Sequence, residues 1–133
     1  MLMRRHPVAL IVDDDGDTAE MYAMGLSIEG FDSMVAFTGV EGLRVAAEAL
    51  PDVVITDYRL VGPLDGLNLA RHLRDNPRTQ HIPIIVVTGS DSDDDRKGAA
   101  RAGCNLFLTK PCLPDRLAAA VRTLLPACFT VAS

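Results

Sequence analysis

Asp52-Val53-Val54-Ile55-Thr56-Asp57 is a run rich in β-branched residues that ends in an acid. Val8-Ala9-Leu10-Ile11-Val12 and Ile82-Pro83-Ile84-Ile85-Val86-Val87-Thr88 have the same form, a largely apolar run with a polar residue at or just after its end. A strand buried on both faces has this pattern, because it has no solvent face toward which residues could alternate. The three runs therefore predict a sheet that is covered by helices on both sides.

The segments between these runs repeat apolar residues at helical spacing. Positions i, i+3, i+4 and i+7 are apolar in Ala19, Tyr22, Ala23 and Leu26, and again in Leu43, Ala46, Ala47 and Leu50. Similar patterns predict strands at 31–37 and 105–109, and helices around 69–73, at 91–102 and at 114–125. Five strands thus alternate with five helices. This order requires right-handed crossovers and predicts an α/β fold, a doubly wound five-stranded parallel sheet in a three-layer sandwich.

The composition excludes several classes of protein. The chain has 133 residues, 48% of them hydrophobic, which predicts a single domain over 1–133 with its core at about 7–125. With 13 Lys and Arg against 18 Asp and Glu, and 5% aromatic residues, it lacks the basic face and stacking platform of a nucleic-acid binder. No apolar run reaches the roughly 18 residues of a membrane span, and the start does not read as a signal peptide. We expect a cytoplasmic protein that neither inserts into a membrane nor binds nucleic acid directly.

Polar residues follow the predicted strands. Asp13 and Asp14 come after the first strand, Asp57 closes the third, Thr88 closes the fourth and Lys110 follows the fifth. In a parallel sheet these ends meet at one edge, where ligands bind. Clustered carboxylates repel one another unless a cation compensates them, and Mg²⁺ prefers such oxygen ligands. The set predicts a site where a carboxylate takes up a phosphoryl group beside a divalent cation.

Four motifs occur in order along the chain: Asp13-Asp14, Asp57, Thr88-Gly89, and Phe107-Leu108-Thr109-Lys110-Pro111. Together they resemble the receiver domain of two-component response regulators, a flavodoxin-like domain, over nearly the whole chain. The resemblance implies a stand-alone receiver in a two-component or phosphorelay system. Its Mg²⁺-dependent phosphorylation would switch protein–protein interactions. Such a module is not an enzyme in the usual sense, since it catalyses only its own aspartyl phosphorylation and dephosphorylation.

The resemblance also implies a metal site and a phosphoryl donor. Asp57 would accept the phosphoryl group from a sensor histidine kinase or a histidine phosphotransfer protein. Asp14 would be the main carboxylate ligand of Mg²⁺, with Mn²⁺ as the alternative ion. Asp13 would bind the metal directly or through a water, and Asp57 and the backbone carbonyl of Arg59 would complete the protein ligands.

A switch follows from the same resemblance. Lys110 would pair with Asp57 and then with the phosphoryl oxygens, and its peptide bond to Pro111 is expected to be cis. Thr88 would hydrogen-bond the phosphoryl group, and Phe107 would turn inward. The new local charge would bias this two-state element and change contact with an unidentified downstream effector. The protein would be a monomer or a weak dimer that depends on phosphorylation.

The chain departs from the family pattern in two places. The segment from Tyr58 to Gly66 is one residue longer than usual, and its proline, Pro63, is displaced. Phe107 stands where tyrosine is frequent, so no phenolic hydroxyl is available there.

Two other functions remain open from the residues. A haloacid-dehalogenase-like phosphotransferase would use Asp13 as its nucleophile, although Asp17 stands where that family has Thr or Val and the chain leaves little room for a cap. The second is a degenerate receiver that serves only as a binding platform. The intact set of acids, Thr and Lys argues against this alternative.

Further groups have structural interpretations. The acids Asp91, Asp93, Asp94 and Asp95 predict a solvated helix start, where negative charge favours the helix dipole. Met21 and Met24 are expected to pack in the interior.

Overall fold

The computed structural model describes residues 6–125 and contains the predicted alternation of strands and helices. In chain order the elements are β1 (Val8–Val12), α1 (Gly16–Ile28), β2 (Asp32–Ala36), α2 (Gly39–Ala49), β3 (Val53–Asp57), α3 (Gly66–Asp75), β4 (Ile84–Thr88), α4 (Asp93–Ala102), β5 (Leu106–Thr109) and α5 (Pro114–Leu124). The predicted fold class is therefore confirmed. Within this described range, no helix has the length and apolar character needed to cross a membrane.

The strands form one parallel sheet in the order β2-β1-β3-β4-β5. The chain moves from β1 to β2 on one side and then passes back across β1 to place β3 on the other. The strand order thus reverses between β1 and β3, and a crevice opens at their carboxyl ends. Ligands of doubly wound proteins bind in this position.

Each central strand contributes to two separate cores. In β1, Leu10 and Val12 pack in a cluster with residues of α2, α3 and α4, whereas Ala9 and Ile11 pack in a second cluster with α1 and α5. All four side chains are fully or almost fully buried. This double burial explains why the run has no polar alternation, and burial of each large side chain stabilises the fold by about 1.5–3 kcal/mol.

Side-chain caps fix the points at which four helices leave the carboxyl edge of the sheet, with Thr38 as the cap of α2. Asp15 caps α1 and accepts a hydrogen bond from the backbone N–H of Asp17. Asp65 caps α3 by accepting from the N–H of Asn68, and Ser92 caps α4. Each cap satisfies an N–H group that the helix itself leaves unpaired. The loops that carry the polar residues are therefore held at their far ends.

Arg74 organises the opposite edge of the sheet, where β4 and β5 begin. Its guanidinium donates to the carbonyl of Gly103 at 2.8 and 3.1 Å, and to those of Gln80 at 2.8 Å and Ile82 at 2.6 Å. It also donates to Oδ1 of Asn105 at 2.9 Å. Burial lowers the pKa of this guanidinium. The carbonyls that it contacts lie in the connections leading into β4 and β5, so Arg74 fastens both connections to α3.

Candidate functional site

Three carboxylates meet at the crevice between β1 and β3. One carboxylate oxygen each from Asp13, Asp14 and Asp57 lies within 4.8 Å of the others. The register pairs Val12 with Thr56, so the residues that follow these two positions arrive side by side. Asp13 is buried, with 3% of its surface exposed, whereas Asp14 is exposed and Asp57 is intermediate. The cluster therefore has a buried base and a mouth open to solvent.

The electrostatics of the cluster disfavour three negative charges. Burial, more than any other cause, raises the pKa of Asp13, and the negative charges of Asp57 and Asp14 raise it further. The N–H of Asp15, which donates to Asp13 Oδ1 at 2.9 Å, and the Lys110 ammonium act in the opposite direction. A divalent cation would relieve this repulsion, and a donor set made of carboxylate oxygens suits Mg²⁺ or Mn²⁺.

Lys110 contributes a positive charge at the edge of the cluster. Its Nζ lies 3.2 Å from Asp57 Oδ2, and the two side chains are 35% and 14% exposed. The backbone N–H of Lys110 donates to the carbonyl of Thr88 at 2.7 Å, which fixes the lysine backbone to the end of β4. The peptide bond between Lys110 and Pro111 is cis. The side chain thus reaches past β4 to contact the acid that ends β3.

Thr88 ends β4 beside the phosphoacceptor candidate. Asp57 pairs with Val87 in the sheet, so Thr88 lies one residue beyond the register partner of Asp57. Its side chain is 3% exposed, and Oγ1 accepts a hydrogen bond from the N–H of Ser90 at 3.2 Å. The hydroxyl thus lies at the carboxyl end of β4, next to the strand that ends in Asp57, and the start of the loop between β4 and α4 holds it.

Phe107 lies half-buried in β5, where it pairs with Val86 of β4 and packs against the core beneath α4. The guanidinium of Arg96 lies over its ring at 4.7 Å from the centroid. A cavity of about 300 Å³, whose lining includes Arg96, Phe107, Cys112 and Arg116, adjoins the ring. A ring in this environment has free volume beside it and a cation over one face.

The loop after Asp57 is held at both ends. The N–H of Gly66 donates to the carbonyl of Tyr58 at 2.9 Å, and a Cβ added at Gly66 would lie 2.1 Å from the carbonyl oxygen of Asp57. Glycine is therefore required where α3 begins against the backbone of the acid. Asp14 Oδ2 accepts from the N–H of Val61 at 3.0 Å and so ties the middle of the loop to the carboxylate cluster.

One contact of this loop was missed by the sequence reasoning. Tyr58 donates its hydroxyl to Asp95 Oδ1 at 3.1 Å, and Ser90 donates its hydroxyl to Asp95 Oδ2 at 2.7 Å. Asp95 was expected to be only a solvated acid at a helix start. The hydrogen bond from Ser90 is the main cause that lowers the pKa of Asp95, and burial is the main cause that raises the pKa of Tyr58. No spacing rule connects these positions, because the sheet order alone brings the two loops together.

Arg59, the predicted source of a backbone ligand, lies in the same loop. Its guanidinium is 5.8 Å from the centroid of the Tyr58 ring, a cation–π contact at the outer limit of that interaction. The side chain is therefore directed to Tyr58, and the ligand role of the Arg59 carbonyl stays a prediction.

Comparison with known proteins places this geometry in a family. The response regulator receiver domain matches residues 9–122. The response regulator PleD of Caulobacter vibrioides is 36% identical over 115 residues, which cover 86% of this chain and 25% of that protein. The transcriptional regulatory protein PrrA of Mycobacterium tuberculosis is 36% identical over 119 residues, 90% of this chain and 50% of that protein. The chain thus spans a quarter to a half of the length of these relatives.

Solved structures agree in fold over most of the chain. A putative response regulator from Chloroflexus aurantiacus superposes with a TM-score of 0.85 at 33% identity, covering 90% of this chain and 98% of that one. The chemotaxis response regulator CheY4 of Vibrio cholerae gives a TM-score of 0.84 at 25% identity, covering 90% and 99%. With the family match, the parallel sheet order and the acid cluster at its edge, this chain belongs to the receiver domains of two-component response regulators.

Proposed function

We propose that residues 1–133 act as a single receiver domain that is phosphorylated on Asp57. The observation that carries this proposal is the pairing of Asp57 with Lys110 at 3.2 Å, inside a cluster of carboxylates at the switch in strand order. Asp57 is the acid of the cluster that combines partial exposure with a cationic partner. A carboxylate that is both reachable and charge-paired suits nucleophilic attack on a phosphoryl group.

In the proposed reaction, an Asp57 oxygen attacks the phosphorus atom of a phosphohistidine. The new P–O bond forms an acyl phosphate, while the P–N bond breaks and its electron pair stays with the imidazole of the donor. Lys110 orients the carboxylate and then contacts the phosphoryl oxygens. Thr88 donates its hydroxyl to the phosphoryl group, and Phe107 changes its packing as the loop moves.

Asp13, Asp14, Asp57 and the backbone carbonyl of Arg59 would hold the Mg²⁺ ion, or Mn²⁺ in its place. When bound, the cation would neutralise negative charge on the oxygens of the phosphoryl group during transfer of that group. The raised pKa of Asp13 supports this assignment, because a cluster that resists full ionisation gains most from a cation.

The proposed partners follow from the family. A sensor histidine kinase or a histidine phosphotransfer protein would supply the phosphoryl group, and a downstream effector would bind the changed surface. We place the domain in the cytoplasm, as a monomer or as a weak dimer that forms on phosphorylation. Its catalysis would be limited to its own phosphorylation and dephosphorylation.

The acid geometry disfavours the two alternatives. A phosphotransferase that used Asp13 would need that acid to reach a substrate, yet Asp13 is 3% exposed and its Oδ1 already accepts from Asp15. A degenerate receiver would lack part of the reactive set, whereas the described residues include the acids, Thr88 and Lys110 at the same edge.

Trapping the phosphoryl group tests the proposal. The protein is incubated with Mg²⁺ and acetyl phosphate or a phosphorylated kinase, reduced with borohydride and mapped by mass spectrometry. We expect label on Asp57 that is lost in Asp57→Asn and kept in Asp17→Asn, which removes a nearby acid outside the cluster. Label on Asp13 would favour the phosphotransferase. If the protein carries no label under conditions that label a known receiver, the degenerate receiver that acts as a binding platform would be the remaining alternative.

A further inference from the structure

Asp95 of α4 connects the two loops that carry the proposed phosphorylation site. One oxygen accepts from the Tyr58 hydroxyl at 3.1 Å, in the loop between β3 and α3. The other accepts from the Ser90 hydroxyl at 2.7 Å, in the loop between β4 and α4. Hydrogen bonds to an ionised acceptor are among the stronger ones in proteins. A single carboxylate thus fastens two loops that are far apart in sequence.

Both arms of this contact end next to residues with a proposed role. Tyr58 directly follows Asp57, and its backbone N–H donates to the carbonyl of Val87 at 3.1 Å. Ser90 follows Thr88 by two residues, and its N–H donates to Thr88 Oγ1 at 3.2 Å. Movement of the Thr88 hydroxyl toward Asp57 would therefore break its hydrogen bond with the N–H of Ser90, the residue whose hydroxyl contacts Asp95.

The rest of the first turn of α4 supports Asp95 in this position. The N–H of Asp95 donates to Ser92 Oγ at 3.1 Å, so its backbone belongs to the helix cap. Asp95 is partly buried, whereas Asp93 and Asp94 of the same turn are exposed. The next residue, Arg96, lies over the Phe107 ring. One turn of helix thus contacts both the loop next to Thr88 and the aromatic ring proposed to switch.

We propose that Asp95 is a positioning residue that holds the two loops in the arrangement of the unphosphorylated protein. This inference rests on the proposed function, since it assigns Asp95 a restraint on the response to phosphorylation at Asp57. Phosphorylation has to release the hydrogen bond from Ser90, and with it the contact that joins Tyr58 to α4. The restraint lowers the affinity of the site for a phosphoryl group by the free energy of the contacts that are lost.

Binding of a phosphoryl mimic tests the restraint. Beryllofluoride, added with Mg²⁺, imitates an acyl phosphate on a carboxylate, and its affinity is measured by calorimetry on the full chain. In Asp95→Asn one acceptor oxygen becomes an amide donor and the negative charge is removed, so neither hydroxyl contact keeps an ionised acceptor. We expect about fivefold to tenfold tighter binding in this variant, about the difference between one charge-assisted and one neutral hydrogen bond. Asp94→Asn removes the same charge from the same helical turn and should bind like the wild type.

Two further variants separate this contact from a general loosening of the fold. Tyr58→Phe and Ser90→Ala each remove one hydroxyl, and each should tighten binding by about twofold to fivefold. Neither should add its full effect in the Asp95→Asn background, because the contact is already weakened there. In the unphosphorylated protein, the Ser90 amide should exchange its hydrogen several-fold faster in Asp95→Asn than in Asp94→Asn.

The outcomes distinguish the two proposals. Equal or weaker beryllofluoride binding by Asp95→Asn, with normal binding by the wild type, would overturn the restraint and leave the proposed function standing. Full additivity of Tyr58→Phe with Asp95→Asn would also contradict a shared contact. A wild-type protein that binds no beryllofluoride, while a known receiver binds it, would overturn the proposed function and the restraint together.

Discussion

The two edges of the sheet treat charged side chains in opposite ways. At the amino ends of β4 and β5, the guanidinium of Arg74 donates to three backbone carbonyls and to Asn105. At the carboxyl ends of β1 and β3, three carboxylates lie within 4.8 Å of one another and Lys110 contacts one of them. At the first edge, the charged guanidinium is hydrogen-bonded within the protein. At the second edge, the three carboxylates outnumber the lysine that contacts them, so negative charge is in excess.

This difference separates stability from function within one small sheet. A partly buried charge whose hydrogen bonds are satisfied holds chain segments together, and its removal leaves backbone partners without donors. A cluster of like charges costs stability, and a fold retains such a cost where a ligand can relieve it. Charge removal should therefore have opposite consequences at the two edges.

The largest effect is expected at the amino edge. Arg74→Ala would leave the carbonyls of Ile82 and Gly103 without these donors and should lower the free energy of unfolding by about 3 kcal/mol. Urea denaturation measures the change. Arg71→Ala, which removes an exposed arginine of the same helix, should cost less than about 0.5 kcal/mol. Equal losses in the two variants would contradict the role given to the Arg74 contacts.

At the carboxyl edge, Lys110→Ala should affect binding more than stability. Loss of the cationic contact should weaken the beryllofluoride complex by about 1.5–3 kcal/mol, whereas the free energy of unfolding should change by less than about 1 kcal/mol. Calorimetry and urea denaturation of the same samples give both values, with Lys97→Ala as the exposed control. Wild-type affinity in Lys110→Ala would show that the lysine does not contact the phosphoryl group.

Asp13→Asn should make the protein more stable when divalent cations are absent, by about 1 kcal/mol at neutral pH. The folded protein raises the pKa of Asp13 above its ordinary value of 3.8, so folding favours the protonated acid. Wild-type stability contributed by this group is thus present at low pH and lost as the pH rises through the raised pKa. The advantage of the variant should consequently vanish in acid.

Thermal unfolding at several pH values, with and without Mg²⁺, measures this dependence. Mg²⁺ should stabilise the wild type more than Asp13→Asn, because the variant has lost one ligand. Asp17 lies outside the carboxylate cluster. Asp17→Asn should therefore show neither the higher stability at neutral pH nor the smaller response to Mg²⁺. A destabilised Asp13→Asn protein at neutral pH, free of divalent ions, would refute the negative excess proposed for this edge.

The smallest effect is expected away from both edges. Arg44 and Glu48 form an ion pair at 3.0 Å on α2, with side chains 58% and 66% exposed. Arg44→Ala should change the free energy of unfolding by less than about 0.5 kcal/mol, because water screens such pairs. A larger loss in urea denaturation would mean that any arginine contact stabilises this fold, and the contrast between the edges would lose its meaning.

The sequence was sufficient for the fold because its three central strands are buried on both faces. The run at Val53–Asp57 cannot alternate polar and apolar residues when α-helices cover both sides, so its pattern is distinctive. The edge cluster was predictable for a related reason, since parallel strands deliver their carboxyl ends to one place. The roles of Arg59, Thr88 and Phe107 remain proposals.

Two details could not be predicted from the sequence patterns. Met21 and Met24 were expected to pack inside, and this was wrong: they are 43% and 62% exposed. Both lie outside the stripe of Ala19, Tyr22 and Leu26 that faces the core, so their apolar character gave no information about burial. The contacts of Asp95 depend on two loops that meet only after the sheet has formed. The spacing of residues along the chain therefore does not predict the contact between these loops.

The alternation of side chains along the strands has a consequence for access by partners. Asp57 shares a sheet face with Val53 and Ile55, which pack toward α1 and α5. Thr88 follows the opposite parity, that of Ile84 and Val86, and Phe107 also packs on the side of α4. A donor that approaches Asp57 and an effector that contacts α4 would therefore meet different sides of the sheet. In the proposed function, input and output would therefore not compete for one surface, and the end of β4 would connect the two sides.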